Sequence, residues 1–188
     1  SIMRLSQMFG KTSKEEPADA ELASHILMIR AGMIYQASAG VYAYLPLAWR
    51  SLKKIETIIR EEMDAINGQE IRMPVVQPQD IWEQSGRSEQ MGSLLFRLHD
   101  RRDRPLILAP THEELLTNIV KSTVTSYRDL PLVIYQIQTK FRDEARPRGG
   151  LIRVREFDMK DAYSFDIDEA GLDQNYKAMI YAYENIYR

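Results

Sequence analysis

Between residues 132 and 161 polar and apolar positions alternate in two opposed sets. Side chains alternate across a strand, so Val133, Tyr135, Ile137 and Phe141 share one face, as a core face should. Gln138, Lys140, Arg142 and Glu144 share the other. After a loop at 145–152, a return strand carries Arg153, Arg155, Phe157, Met159 and Asp161 on one parity. The pattern predicts a hairpin displaying arginines, a carboxylate and an aromatic ring. Elsewhere the apolar steps are three and four residues. Leu22, Ile26, Ile29 and Met33 predict a helix over 17–30, with Pro17 in its first turn and Gly32 near its end. Residues 33–35 and 41–45 predict a short hairpin around Ser38-Ala39-Gly40. Pro46 opens a second helix whose stripe is Leu52, Ile55, Ile59, Met63 and Ile66, with Gly68 as its stop. Residues 69–76 read as a strand broken by Pro74, which cannot donate to a ladder and belongs at an edge, an end or an interface. A short helix and glycine loop over 80–93, a hairpin over 94–98 and 105–109, and a helix over 111–125 with Leu115, Leu116, Ile119 and Val120 inward come next. From Asp168 a last helix places Leu172, Tyr176, Met179, Ile180 and Tyr183 on one side. These elements predict an α+β fold, an antiparallel β-sheet flanked by helices.

The 188 residues are one domain by length and long enough to bury a core. The formal net charge of −2 supplies no global basic field, so any RNA contact must come from a local patch. The segment 140–160 is such a patch, with Arg142, Arg146, Arg148, Arg153 and Arg155. The chain has no cysteine, which excludes disulfides and thiolate metal sites and fits a reducing, cytoplasmic setting. No apolar run has membrane-spanning length and no secretory signal is visible. Ser1-Ile2 ahead of Met3 reads as an addition, with the native start at Met3.

The hairpin face suits a nucleotide: cations for phosphate, a flat ring for a base, a carboxylate for an amino group. Each residue alone is ordinary surface, but Arg142 and Glu144 on one parity with Arg153, Phe157 and Asp161 at four-residue steps is a restrictive set. Thr111 and Glu114 have capping-box spacing. Glu113 between them is either a favourable carboxylate at a helix start or a partner for an amino or imino cation. His25, His99 and His112 read as structural. His112-Glu113-Glu114 lacks the second histidine of a zinc-protease helix, so no metal site is expected. Arg87, after Ser85-Gly86, is either a phosphate ligand or an exposed loop residue. No Walker-type or dinucleotide glycine loop is present.

Phe141-Arg142-Asp143-Glu144, a loop, then Arg153, Phe157 and Asp161 resembles motif 2 of class II aminoacyl-tRNA synthetases. The helix over 46–67 followed by Gly68-Gln-Glu-Ile-Arg-Met-Pro74-Val-Val resembles motif 1. Within the class the chain is most similar to bacterial-type prolyl-tRNA synthetases. Ala18-Asp-Ala-Glu, Met28-Ile-Arg-Ala-Gly-Met-Ile34, Pro110-Thr-His-Glu-Glu114 and Arg155-Glu-Phe-Asp-Met-Lys-Asp-Ala-Tyr-Ser-Phe165 carry the likeness across essentially all 188 residues. The resemblance implies ATP-dependent activation of proline to prolyl-adenylate and transfer to tRNA(Pro). Arg142 would hold the α-phosphate and carboxylate, and Phe157 would stack on adenine. Glu144 would lie near the adenine amino edge, and Arg153 and Asp161 would complete the ATP site, Asp161 bracing the arginines. Thr111 and Glu113 would receive the imino group, and Arg146 and Arg148 the tRNA acceptor end. Gly68 and Pro74 would belong to a homodimer interface. Mg2+ would bridge ATP phosphates, with its protein ligands mostly elsewhere in the class.

Motif 3, the editing domain and the anticodon-binding domain do not match anything in 1–188. The resemblance therefore implies the amino-terminal portion of a catalytic domain, inactive alone. The loop 86–92 lacks the expected aromatics, and Gly149-Gly150 stand where a bulky residue is usual. A threonine or serine specificity, or a non-catalytic synthetase-like protein that binds tRNA or a partner, are the competing readings.

Overall fold

The computed structural model describes residues 3–188, so the reading of Ser1-Ile2 lies outside the described residues. Helix α1 (Ala23–Arg30) leads into a hairpin of β1 (Ile34–Ser38) and β2 (Val41–Tyr44). The expected start at Pro17 is too early: 17–22 form turns and bends, and the helix begins after Leu22, without a side-chain cap. Helix α2 (Pro46–Ala65) opens on its proline, which has no N–H to leave unpaired at a helix start.

The end of α2 explains Gly68. Asn67 takes the left-handed conformation (φ +61°), Gly68 N–H donates to Met63 O at 2.9 Å, and Asn67 N–H donates to Asp64 O at 2.9 Å. This is a Schellman closure of the last carbonyls. A Cβ on Gly68 would stand 2.7 Å from Met63 O and 3.0 Å from the Tyr135 ring. The glycine is required by close packing against the strand behind it.

Strand β3 (Gln69–Glu70) then pairs in parallel with β7 (Leu132–Phe141), and β7 pairs antiparallel with β8 (Glu156–Phe165). The expected strand over 69–76 is split around Pro74, and its second half, β4 (Val76–Pro78), joins a different sheet. That sheet has the order β4, β6 (Pro105–Leu108), β5 (Phe96–His99), all antiparallel. Phe141 N–H to Ala109 O (2.9 Å) and Ala109 N–H to Val75 O (2.7 Å) tie the two sheets together. Between β4 and β5 lie α3 (Asp80–Gln84) and α4 (Arg87–Met91), where one short helix was expected. Helix α5 (Glu113–Thr123) follows β6, and α6 (Glu169–Ile186) ends the chain with Asp168 as its N-cap.

Two cores hold this together. Met63 of α2, Tyr135 of β7 and Ala182 of α6 pack with Ile59, Ile66, Ala162 and Met179. Trp82, Leu95 and Ile107 form the second, against Ile81 and Met91. The helices α2 and α6 thus cover the odd face of the β7–β8 pair. The stripe expected of α6 is not buried: Leu172, Tyr176, Ile180 and Tyr183 are exposed, and Met179 and Ala182 make its contact with the core.

Candidate active site

The even face of β7 was expected to display its polar groups. It is instead buried: Gln136 and Lys140 have no exposure and Gln138 has 7%. The segments on either side of Pro74 and before α5 cross over it and take up its hydrogen bonds. Gln136 Oε1 accepts from Met73 N–H at 3.0 Å, and Gln138 Nε2 donates to Met73 O at 2.8 Å. Lys140 Nζ meets His112 Nδ1 and stands 2.8 Å from Asp161 Oδ1. His112 Nε2 lies 2.9 Å from Pro74 O. A carbonyl only accepts, so Nε2 carries the proton and Nδ1 accepts from Lys140. Burial and the adjacent Lys140 charge both push the His112 pKa down, which keeps the ring neutral. Burial lowers the Lys140 ammonium as well, against the opposing pull of Asp161.

Asp161 Oδ2 accepts from Gln136 Nε2 (3.0 Å) and Tyr163 OH (2.7 Å). The expectation that Asp161 braces the arginines is corrected. Its register partner is Gln136, and on that face of β7 Gln138 and Lys140 come before Arg142, so Lys140 is the cation it reaches. Burial and then the Asp161 carboxylate hold the Tyr163 hydroxyl well above the usual phenol range.

Above this floor stands Arg142. Its Nε and Nη2 donate to Pro110 O at 3.4 and 3.3 Å, and its guanidinium carbon lies 5.3 Å from the Phe157 ring centroid. Arg142 and Phe157 are therefore brought together, as the sequence implied. Glu144 and Arg153 are also brought together, as an ion pair with Arg153 Nε and Nη2 at 3.0 and 2.9 Å from Glu144 Oε2. Arg155 anchors the rim, donating to Glu144 O and Ala39 O at 3.1 Å each.

The start of α5 forms the third wall. His112, not Thr111, is the N-cap, and no side chain caps the helix. The expected capping box fails because the Thr111 hydroxyl has a stronger acceptor close by: it donates to Glu113 Oε2 at 2.6 Å. Arg87 Nη1 donates to the same oxygen at 3.1 Å and to Glu114 Oε1 at 2.8 Å. Burial pushes the Glu113 carboxyl up, but the hydrogen bonds from Thr111 and Arg87 outweigh it and hold it below the usual range.

Arg146 and Arg148 are exposed on the loop between the strands. That loop is closed by paired backbone bonds between Arg148 and Arg153 (3.0 and 3.2 Å), with Gly149 and Gly150 at φ +72° and +63°. A Cβ on Gly150 would meet the His25 ring at 2.8 Å, so the loop rests on α1. Between them lies a cleft of about 690 Å³ lined by Asp19, His25, Gln36, Tyr42, Arg148 and Arg153. Gly68 packs inside the subunit, while Pro74 is exposed and offers its carbonyl to His112.

Sequence reasoning passed over Lys140, Gln136 and Tyr163; its structural reading of His112 holds, whereas Glu114 is an ion-pair partner rather than half of a capping box, and Arg87 pairs with Glu113 and Glu114. No signal marked the residues passed over: Gln136, Gln138, Lys140 and Arg142 form an unbroken polar parity on a strand whose other face is apolar, and such a face is ordinarily exposed.

The model of the "tRNA synthetase class II core domain (G, H, P, S and T)" matches residues 96–188. Over that stretch the chain is similar to class II tRNA synthetases, and over nearly its whole length it is similar to proline–tRNA ligases. A proline–tRNA ligase of Dehalococcoides mccartyi is 61% identical over 186 residues, covering 99% of this chain and 33% of the relative. One of Anaeromyxobacter sp. is 59% identical over 99% of this chain and 32% of the relative. The chain thus spans about a third of the length of the curated relatives it matches. A Giardia lamblia prolyl-tRNA synthetase, solved in complex with prolyl-adenylate, superposes with a TM-score of 0.80 at 23% identity, covering 85% of this chain and 34% of that one. A Cryptosporidium parvum prolyl-tRNA synthetase, complexed with L-proline and AMP, gives 0.75 at 21% identity, covering 85% and 32%. These two share the fold. Among the described residues no helix is long and apolar enough to cross a membrane.

Proposed function

We propose that this chain forms part of a proline–tRNA ligase that activates proline with ATP and transfers it to tRNA(Pro). The observation that carries this reading is the fixed position of Arg142. Two of its nitrogens donate to Pro110 O and its guanidinium carbon lies 5.3 Å from the Phe157 ring centroid, which leaves Nη1 to donate to a ligand. Such a held guanidinium next to an aromatic face suits a phosphate beside a base.

In the reaction, a carboxylate oxygen of proline attacks the α-phosphorus of ATP and pyrophosphate leaves. Negative charge builds on the α-phosphate oxygens, and Arg142 stabilises it without reorganising. The protein then supplies position and charge, and no nucleophile of its own. Phe157 stacks on adenine, with Glu144 and Arg153 at its rim. Glu113, ionised, and Thr111 receive the imino cation. A terminal hydroxyl of the tRNA then attacks the prolyl carbonyl and AMP leaves. Arg146 and Arg148, exposed beside the site, meet the acceptor end.

Among the described residues no group of three or more His, Cys, Asp or Glu side chains converges as a metal site. Mg2+ would come with ATP and offset the charge of its phosphates. Gly68 and Pro74 lie where motif 1 would carry a homodimer contact. Trp49, Ile55 and Ile58 of α2, the helix that precedes them, are exposed apolar residues that a partner would cover. ATP and tRNA as substrates support a cytoplasmic setting.

The test is amino-acid-dependent ATP–pyrophosphate exchange by the whole enzyme with proline, threonine and serine in turn. Exchange with proline at least about a hundredfold above the other two supports the reading. Exchange driven by threonine or serine, or by none, overturns it.

A further inference from the structure

Arg87 closes a circuit around the carboxylate of Glu113. Its guanidinium carbon lies 5.4 Å from the centroid of the Trp82 ring, which is fully buried. Trp82 Nε1 donates to Gln77 Oε1 at 2.7 Å, and Gln77 Nε2 donates to the backbone carbonyl of Thr111 at 3.3 Å. The Thr111 hydroxyl donates to Glu113 Oε2 at 2.6 Å, and Arg87 Nη1 returns to that same oxygen at 3.1 Å. Arg87 also neutralises Glu114, which is 8% exposed, takes a second bond from Ser85 Oγ at 3.2 Å, and keeps a buried Oε2 without a partner. One cation thus serves two carboxylates. The trio carries one net negative charge, which suits a single cationic ligand.

The acceptors left over are few. Glu113 Oε2 already receives two donors. Glu113 Oε1 accepts from no other residue among those described. The Thr111 hydroxyl has spent its hydrogen and retains only acceptor capacity. A ligand ammonium therefore meets two acceptors, Glu113 Oε1 and Thr111 Oγ1.

We propose that Arg87 is a specificity-determining residue. By occupying Glu113 Oε2 it leaves two acceptor oxygens, one for each N–H of a secondary ammonium, so that the third N–H of a primary one must share an oxygen or turn to water. The inference rests on the proposed role of Thr111 and Glu113 in receiving the imino group. It explains how a site selects an imino acid over an amino acid by the nitrogen itself, apart from the shape of the ring. The carboxylate of Glu113 is nearly half open, at 46% side-chain exposure, so water relieves part of the mismatch and the discrimination is moderate.

The test compares alanine with N-methylalanine, which differ at the nitrogen by one N–H replaced with a methyl group. Proline-dependent exchange by the wild-type whole enzyme is measured first, and its absence counts against the proposed function itself. With exchange present, wild type is expected to favour N-methylalanine over alanine in kcat/KM. Arg87→Met keeps an apolar stem over Trp82 and frees Glu113 Oε2. The ratio is expected to fall about fivefold or more, the low end for an unpaired donor, with KM for ATP unchanged. Arg87→Lys keeps donors and charge and is expected to hold a ratio near wild type. A ratio unchanged in Arg87→Met overturns the proposal, as does a wild-type preference for alanine. If Arg87→Met does not fold, Arg87→Gln serves in its place: an intermediate ratio supports the proposal and a wild-type ratio overturns it.

Discussion

His112 Nε2 donates to the carbonyl of Pro74 at 2.9 Å, and the other ring nitrogen accepts from Lys140. One buried imidazole therefore joins the segment after Gly68 to the floor of the β7–β8 hairpin. Replacing it with phenylalanine keeps the ring volume and removes both partners. His112→Phe is expected to lower stability by about 2–4 kcal/mol, because a part-buried carbonyl and a buried ammonium each lose a bond. His112→Gln, which can donate and accept, should recover part of that. Urea unfolding of the two variants checks it, and equal midpoints for wild type and His112→Phe would refute it.

The same imidazole sets a pH dependence. Burial and Lys140 lower its folded pKa, while Asp161 and Glu113 oppose them. The unfolded histidine titrates near 6.5, at about the ordinary value. Below that pH the unfolded chain binds the proton that the folded chain refuses, so stability falls as pH drops through this window. The contribution is fully present above about pH 7. Glu113, whose folded pKa is lowered, is lost only at more acid pH, below the ordinary carboxyl value. Stability measured from pH 7.5 to 5 should therefore decline less steeply in His112→Gln than in wild type. Parallel curves would contradict the neutral assignment.

Lys140 has no exposed side-chain surface and faces Asp161 at 2.8 Å. Removing one member of a buried pair leaves an uncompensated charge. Lys140→Met is expected to cost about 3–5 kcal/mol, and adding Asp161→Asn should recover part of the loss. The check is a double-mutant cycle by denaturant unfolding. Additive losses would mean the pair is not coupled.

Gly150 sits at φ +63° with the His25 ring in the space of a Cβ. Gly150→Ala therefore strains the backbone and pushes the loop off α1. The loop carries Arg146 and Arg148, so transfer to tRNA should fall about tenfold or more, by the usual cost of misplacing a contact. Proline-dependent exchange, which needs no tRNA, should fall far less. Equal losses in both assays would argue against a separate role for the loop.

The hairpin was legible because alternation over ten residues per strand leaves little freedom of register, and all ten pairs of β7 with β8 follow it. The burial of its polar face was not legible. Met73, which satisfies both Gln136 and Gln138, lies 63 and 65 residues away in sequence. Thr111 with Glu114 has the spacing of a capping box whether or not one forms. What decided the outcome was the Glu113 carboxylate two residues on and Arg87 at the start of α4, 26 residues upstream. On α6 the apolar stripe was read as core, yet periodicity alone does not say how much sheet lies beneath it. Arg142 with Phe157 was foreseen from parity, whereas the ion pair of Glu144 with Arg153 depends on the tight loop that Gly149 and Gly150 allow.

The central claim is that Arg142, held by Pro110 O beside Phe157, stabilises charge on the α-phosphate of ATP as proline attacks. The most direct measurement is proline-dependent ATP–pyrophosphate exchange by the whole enzyme carrying Arg142→Ala. The account predicts a loss of roughly a hundredfold or more in kcat, as when a preorganised donor to developing charge is removed, with the fold retained by circular dichroism. An exchange rate close to wild type would contradict it.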